Sequence, residues 1–242
     1  IPFTGSGSDT LLLSSQKQLA KQWLRFHGIA TPRDLASEDP AGEPAIRYIV
    51  KSVWEHASLG LDDSSVVTGS EAARQKIERC KQQYGGEWFA EEYIDGREFN
   101  ISVIEQDGEP LVLPIPEITF VDYPDDKPKI VGYAAKWDPD AVEYDATRRD
   151  FPTLPAEQQD ALSDCVKQCW SLFELRGYAR VDIRLSTAGI PYVLEINANP
   201  CLAQDAGFVV SAQQAGISYN ELIRRIVAAV GPRKQLHQRR AG

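Results

Sequence analysis

Apolar residues along this chain follow two different spacings, which separate predicted helices from predicted strands. A recurrence every three or four residues favours a helix, and alternation with polar residues favours a strand. The helical spacing predicts helices over 16–27, 71–84, 155–177 and 220–230. The alternation predicts strands over 48–51, 88–94, 98–105, 111–120, 179–185 and 192–197, with Asp95 and Gly96 joining the second strand to the third.

Two stretches show neither spacing. Residues 1–10 are rich in glycine and serine, and this composition predicts a loop. Residues 121–155 are polar, contain several prolines and have no clear period. A loop of that length in a compact domain commonly covers an active site or is disordered.

Composition narrows the class of protein. Hydrophobic residues make up 43% and charged residues 25% of the 242 residues, as in ordinary globular chains. No apolar run approaches the roughly 18 residues of a membrane span, so no membrane partner is expected. The net charge of −9 disfavours nucleic acid as a partner, because phosphate contacts need a basic surface.

The cysteines and the first residue suggest where the protein works and how much of it is present. The four cysteines include no Cys-x-x-Cys pair and have no histidine at metal-binding spacing. We therefore expect free thiols in a reducing compartment, the cytoplasm. The chain starts at Ile1 and contains no methionine, which favours the interpretation that it is a fragment or a processed product.

Residues 180–200, RVDIRLSTAGIPYVLEINANP, carry the densest chemical signal. Side chains alternate between the two faces of a strand, so Arg180 and Asp182 share a face on the first strand. A turn centred on residues 188–189 would place Asp182 opposite Glu195 and Arg180 opposite Asn197. The same alternation predicts Val193 on the face of Glu195.

The opposite face of this hairpin is predicted to be aliphatic and to pack against the core. It would carry Val181, Ile183 and Leu185 from the first strand, with Leu194 and Ile196 from the second.

Opposed carboxylates repel each other unless a cation lies between them. Oxygen ligands from Asp182, Glu195 and Asn197 suit Mg²⁺ or Mn²⁺, and Arg180 beside them suits the charge of a transferring phosphoryl group. The alternative interpretation is a solvated polar face with surface ion pairs.

These motifs resemble the ATP-grasp superfamily, and within it the D-alanine–D-alanine ligase group. That family has an Arg-x-Asp strand followed by a Glu-x-Asn strand and a proline, as in residues 180–200 here. The resemblance implies an α+β ATP-grasp fold in which two subdomains with antiparallel sheets sandwich ATP. It also implies a small subdomain over 32–95 and a large one over 96–230.

The remaining segments follow from the same resemblance. An N-terminal loop and helix would occupy 1–31, a mobile lid 121–155 within the large subdomain, and a basic tail 231–242.

The resemblance further implies which residues bind Mg-ATP. Lys17, Lys51 and the lid residue Lys136 match lysines that contact phosphates, and Ser58 matches the small-residue loop over them. Residues 91–94 match the linker that reads the adenine, and Glu98 matches the acid that binds the ribose. The linker residues are Glu91, Glu92, Tyr93 and Ile94.

The implied reaction is a two-stage ligation of amino-acid or peptide substrates. ATP phosphorylates a carboxylate, and an amine then displaces the phosphate, with Lys136, Arg180 and Ser58 as the catalytic residues. Alternatives are an ATP-grasp kinase, another carboxylate ligase, or a non-catalytic nucleotide-binding module. The resemblance also implies a domain upstream of Ile1 and a homodimer formed through it.

The sequence departs from the D-alanine ligase pattern just beyond the hairpin. Cys201 replaces a glycine, and Ala206-Gly207 replaces a Ser-Leu pair whose hydroxyl could hold a substrate carboxylate. Asp205 lies beside these positions, and we hypothesise that it attracts a cationic substrate group.

Overall fold

Two antiparallel sheets organise the chain in a computed structural model that describes residues 2–36, 46–55, 58–124 and 127–230. The helices are α1 (Ser8–Ser15), α2 (Lys17–Phe26), α3 (Ser70–Tyr84), α4 (Tyr133–Trp137), α5 (Val142–Ala146), α6 (Ala156–Leu172), α7 (Gly207–Gln214) and α8 (Tyr219–Ala228). The strands are β1 (Arg47–Ser52), β2 (Val66–Thr68), β3 (Trp88–Glu92), β4 (Gly96–Gln106), β5 (Glu109–Val112), β6 (Glu117–Phe120), β7 (Thr147–Asp150), β8 (Tyr178–Ser186) and β9 (Pro191–Asn197). This mixed architecture confirms the predicted α+β class.

The smaller sheet has three strands in the order β2-β1-β3. Helix α3 packs on it through Ala73 and Cys80, which meet Tyr48, Val50 and Trp88 in a buried cluster. Burying these apolar side chains stabilises the sheet against its helix.

The larger sheet has six strands, in the order β7-β6-β4-β8-β9 with β5 paired to β4. The long strands β4 and β8 pair from Gly96 opposite Ser186 to Ile104 opposite Tyr178. Their apolar faces pack against α6, where Val166 and Cys169 are fully buried. On the opposite face, Ile104 and Tyr178 pack against α7 and α8 at one end of these strands, and the rest of the face carries polar side chains such as Asp182.

The predicted hairpin register is confirmed for both functional pairs. Asp182 lies opposite Glu195, and Arg180 lies opposite Asn197. The pairing then shifts, because Ile183 lies opposite Val193 and leaves Leu194 as an extra residue in β9.

The predicted faces of Val193 and Leu194 were therefore wrong. Val193 is fully buried in the core, whereas Leu194 lines the cleft on the side of Glu195. A β-bulge adds one residue to one strand and resets the alternation of side chains beyond it.

Two regions predicted as loops contain regular elements. Residues 8–10 begin α1, whose Thr10 hydroxyl donates to the carbonyl oxygen of Phe173 at 2.9 Å. The predicted lid contains α4, α5 and β7 rather than irregular chain. In both cases long-range contacts stabilise elements too short to show a periodic pattern.

Other predicted elements have different limits. The strand predicted over 111–120 is two strands, β5 and β6, because Pro114 and Pro116 cannot donate to a ladder. Asp95 joins the two strands beside it as predicted, and these strands, β3 and β4, lie in different sheets, with Gly96 as the first residue of β4. Helix α7 was not predicted, and the predicted tail over 231–242 lies outside the described residues.

All four cysteines are free thiols, as predicted. Within the described residues, no helix is both long and apolar enough to cross a membrane.

Gly96 lies where the chain passes from one sheet to the other. Its φ is +154°, and a Cβ atom there would lie 2.0 Å from the carbonyl oxygen of Leu185. Because β4 and β8 pair directly, neither backbone can move away without losing hydrogen bonds. We expect Gly96→Ala to lower the free energy of unfolding by about 3 kcal/mol or more.

Gly189 provides the matched control, because a Cβ atom at this positive-φ residue would meet nothing within 4 Å. Gly189→Ala should cost only about 1–2 kcal/mol, from backbone strain alone. Urea unfolding of both variants tests the difference, and equal losses would contradict the proposed clash.

Candidate functional site

A cleft between the two sheets brings most of the predicted site residues together. The space between its walls is about 820 Å³, a volume that includes open solvent at the mouth of the cleft. Every residue predicted to bind nucleotide or metal or to act in catalysis lines it, apart from Arg180 and Asn197. The small sheet contributes Lys51 and residues 91–92, whereas β8 and β9 contribute Asp182 and Glu195.

Arg180 adjoins the cleft through its neighbour on the same strand. Its guanidinium donates to both oxygens of Asp182, at 2.7 and 2.8 Å. Burial alone would lower the pKa of Arg180, but the charges of Asp182 and Glu195 raise it above its ordinary value. Arg180 therefore stays protonated and balances part of the negative charge on this face.

The opposed carboxylates form a donor set that fits Mg²⁺. Within the described residues, no three His, Cys, Asp or Glu side chains are grouped as an all-protein metal cage. Mg²⁺ is usually held by one or two carboxylates together with substrate phosphates, so Asp182 and Glu195 suffice as acidic ligands. A carboxylate has about four lone-pair positions, which leaves Asp182 acceptor capacity beyond its pairing with Arg180.

Asn197 lies next to this pair at the end of β9. Its Oδ1 accepts a hydrogen bond from the backbone N–H of Asn199 at 3.0 Å. That oxygen is therefore oriented by the turn after β9, and its part in holding a metal stays a prediction.

A fully buried carboxylate, Glu91, organises two lysines at the base of the cleft. Lys51 Nζ lies 2.8 Å from Oε1 of Glu91, and Lys21 Nζ lies 2.6 Å from Oε2. Burial would raise the pKa of Glu91, but the two lysines outweigh it and lower the pKa below its ordinary value. Glu91 is thus a charged group that holds Lys51 in position at the cleft wall.

Lys21 was not among the residues predicted for the site. Its side chain is 2% exposed, and Nζ also donates to the hydroxyl of Thr31 at 3.1 Å. In the sequence it lies four residues after Lys17 on an amphipathic helix, where a lysine is usually solvent-exposed. Neither periodicity nor a motif distinguishes it from a surface lysine.

Lys17 reaches the cleft from the first turn of α2. Its Nζ donates to the carbonyl oxygen of Glu55 at 2.6 Å and lies 3.9 Å from Oε2 of Glu195. Burial lowers the pKa of Lys17 from its ordinary value, although Glu195 acts in the opposite direction. Lys17 is thereby placed near Glu195, on the side of the cleft where the phosphates are predicted to bind.

Arg184, two residues after Asp182 on β8, connects the predicted adenine and ribose positions. Its guanidinium pairs with Glu98 and donates to the carbonyl oxygen of Lys129 at 2.8 Å and to that of Ile94 at 3.4 Å. The aromatic ring of Tyr93 lies against the same guanidinium, 5.4 Å from centroid to Cζ. Glu98, predicted to bind ribose, thus shares its carboxylate with an internal partner.

Glu92, the remaining charged residue of the linker, has a different partner. Its Oε1 accepts from Nε of Arg33 at 2.9 Å. This pair lies near the rim, where ion pairs contribute little to stability.

The lid is docked against the loop that carries Ser58. The Ser58 hydroxyl donates to the carbonyl oxygen of Val131 at 3.0 Å, and Tyr133 N–H donates to that of Leu61 at 2.8 Å. Lys127 adds ion pairs to Asp63 at 3.1 Å and to Glu143 at 2.6 Å. This docking brings Lys136, on α4, to the same cleft that Asp182 and Glu195 line.

Ser58 therefore has a structural partner in the lid, and its catalytic role stays a prediction. The two residues before it, 56–57 in the predicted phosphate loop, lie outside the described residues.

Comparison with known proteins places this geometry in a family. A family described as "D-ala D-ala ligase C-terminus" matches residues 38–228. The chain belongs to this family. Its members have the ATP-grasp fold, in which the two sheets form the walls of a nucleotide cleft.

Individual relatives agree with this assignment. The chain is 28% identical over 235 residues to a D-alanine–D-alanine ligase of Cupriavidus pinatubonensis, covering 95% of this chain and 68% of the relative. It is 30% identical over 238 residues to an uncharacterized protein, y4sG, of Sinorhizobium fredii, covering 94% and 66%. The chain thus spans about two thirds of the length of these relatives.

A solved relative resembles the structure throughout. The crystal structure of D-alanine–D-alanine ligase from Bacillus anthracis, complexed with ATP, has a TM-score of 0.71 and 26% identity. The match covers 95% of this chain and 70% of that one.

Replacing Lys21 tests how strongly the free energy of unfolding depends on the buried cluster of Lys21, Glu91 and Lys51. In Lys21→Met, Glu91 keeps a buried negative charge with only one cation beside it, so the free energy of unfolding should fall by about 3 kcal/mol or more. Lys81→Met is the control, because Lys81 pairs with Glu78 at the exposed surface, and its cost should stay within about 1 kcal/mol.

The double variant Lys21→Met, Glu91→Gln should be more stable than Lys21→Met alone, since the unbalanced carboxylate is gone. Chemical unfolding measures all three. If the double variant is the least stable, Glu91 is not the group that Lys21 neutralises.

Proposed function

We propose that the protein is an ATP- and Mg²⁺-dependent carboxylate–amine ligase that forms an amide through an acyl phosphate. The observation that carries the proposal is the meeting of Lys51, Lys136, Asp182 and Glu195 in one cleft between two sheets. Lysines facing carboxylates suit a nucleotide triphosphate bound through a divalent cation. Relatives named D-alanine–D-alanine ligase support amino acids or peptides as the substrates.

In the first stage, an oxygen of the substrate carboxylate attacks the terminal phosphorus of ATP, the bond to the bridging oxygen breaks, and ADP leaves. Lys51 and Lys136 neutralise charge on the phosphate oxygens. Lys51 is held for this task by Glu91, 2.8 Å away, so its position needs no reorganisation when charge develops.

In the second stage, the amine nitrogen attacks the acyl carbon, phosphate leaves, and the nitrogen gives up a proton. The tetrahedral intermediate carries an oxyanion. Arg180, kept protonated and fixed by Asp182, provides the positive charge that stabilises it. The docked lid excludes water, which would otherwise hydrolyse the acyl phosphate.

Mg²⁺ would be held by Asp182 and Glu195, with Asn197 as a third oxygen donor, and it would supply charge neutralisation between the phosphates. The chain's own contribution is to hold two carboxylates opposite each other on paired strands.

Lys136 offers a test of the lid's chemical role. Lys136→Met should lower kcat by about 100-fold, because one preorganised cation is lost from the phosphoryl-transfer step. Lys167→Met, on the exposed face of α6, should leave kcat unchanged. Steady-state ADP release measures both, and an unchanged kcat for Lys136→Met would remove Lys136 from the mechanism.

The reaction class is tested by product analysis of the full-length protein. With D-alanine as the probe, ATP and Mg²⁺, a ligase releases one ADP and one phosphate for each amide formed. A stable phosphorylated product would indicate a kinase instead. Nucleotide binding without ADP release across a panel of amino acids would indicate a non-catalytic module.

A further inference from the structure

Arg149, on β7, lies on the face of the larger sheet that borders the cleft, although Arg149 does not itself line the cleft. Its partner on β6 is Ile118. Ile118 in turn pairs with Glu98 on β4, and Glu98 pairs with Arg184 on β8. Residues directly opposite each other on neighbouring strands project from the same face. Arg149 therefore shares a face with two charged residues of the cleft.

The guanidinium of Arg149 lies against the first residue of α7. A Cβ atom at Gly207 would be 2.9 Å from Nη2 and 3.0 Å from Cζ of Arg149. Any other residue at 207 would therefore push this guanidinium aside. The absence of a side chain at Gly207 allows Arg149 to occupy this position.

Arg149 has no acidic partner there. Within the described ranges its side chain forms neither a hydrogen bond nor an ion pair, and the charge that acts on it comes from another cation, Arg180. Burial, followed by this repulsion, lowers the pKa of Arg149. Arg149 as a whole is nevertheless exposed, so an anion from solvent can reach its guanidinium.

Two guanidinium groups that repel each other at the edge of a reaction site favour binding of an anion near them. The planar guanidinium of Arg149 matches a carboxylate, with which it can form two parallel hydrogen bonds. Arg180 already has such a partner in Asp182, whereas Arg149 has none.

We propose that Arg149 is a specificity-determining residue that binds a carboxylate group of the amine substrate. The proposal rests on the proposed ligase function. The carboxylate that is phosphorylated becomes part of the amide and cannot remain paired with an arginine throughout. A second carboxylate, carried by the amine substrate, persists from binding to product. The amine substrate is therefore an amino acid or a peptide rather than a simple amine.

This assignment reverses the hypothesis for the neighbouring Asp205. The residue found against Gly207 is a cation, which favours a negatively charged substrate group at this place. Asp205 is exposed and forms no ion pair within the described residues.

Matched probes and matched variants test the proposal. D-alanine and D-alaninamide differ only in that the carboxylate becomes a neutral amide. The wild type should prefer D-alanine as amine substrate, and Arg149→Gln should raise the KM for D-alanine by about 10-fold or more with kcat nearly unchanged. Arg148→Gln is the control, because Arg148 lies on the other face of the same strand, opposite Thr119.

Two further variants distinguish the effect on KM of where the positive charge lies from the effect of having a positive charge at all. Gly207→Ala keeps Arg149 but displaces its guanidinium, so its KM should rise in the same way. Arg149→Lys keeps the charge without the planar geometry and should recover part of the loss. An Arg149→Gln variant that retains the wild-type preference for D-alanine would overturn the proposal.

A binding measurement distinguishes failure of this proposal from failure of the ligase function. D-alanine is titrated calorimetrically into the full-length protein with Mg²⁺ and a non-hydrolysable ATP analogue. If no amide forms but binding is lost in Arg149→Gln and kept in Arg148→Gln, the carboxylate site stands while the ligase function fails. If the wild type does not bind D-alanine, or both variants bind it equally, the carboxylate site is overturned.

Discussion

Asp182 and Glu195 face each other from neighbouring strands, and the fold has to hold these two like charges together. Strand β8 does so because its other face is entirely apolar: Val181, Ile183 and Leu185 are buried in the core under α6. Pairing with β4 along the whole of β8 fixes the strand from the other side. Burial of one face thus stabilises an arrangement on the opposite face that would be unfavourable in isolation.

Internal counter-charges keep the rest of the cleft in place. Glu91 holds Lys51 and is itself balanced by Lys21, Asp182 is paired with Arg180, and Glu98 with Arg184. Each of these pairs is largely buried. An unbalanced charge that is buried in this way would cost several kcal/mol. The groups proposed to bind a nucleotide are therefore held in place by internal partners, and such preorganisation would lower the reorganisation needed during phosphoryl transfer.

The register of the two functional pairs in the hairpin could be predicted, and so could most residues that line the cleft, because strand alternation and short motifs are local properties of the sequence. The bulge at Leu194 could not, since a bulge depends on how two strands pair and leaves no signature in either strand alone. Lys21 and Arg149 were missed for a related reason: each is defined by a distant partner, Glu91 or Gly207, and resembles a surface residue in sequence. Helix α1 depends likewise on the contact of Thr10 with Phe173.

The proposed ligation requires that this cleft activates a carboxylate as an acyl phosphate. Supplying D-alanine with heavy oxygen in its carboxylate and analysing the released phosphate by mass spectrometry tests this step. Attack by the carboxylate on ATP predicts that one labelled oxygen appears in the phosphate for each amide formed. Amide formation with unlabelled phosphate would contradict the account, because the carboxylate oxygen would then never have been bonded to phosphorus.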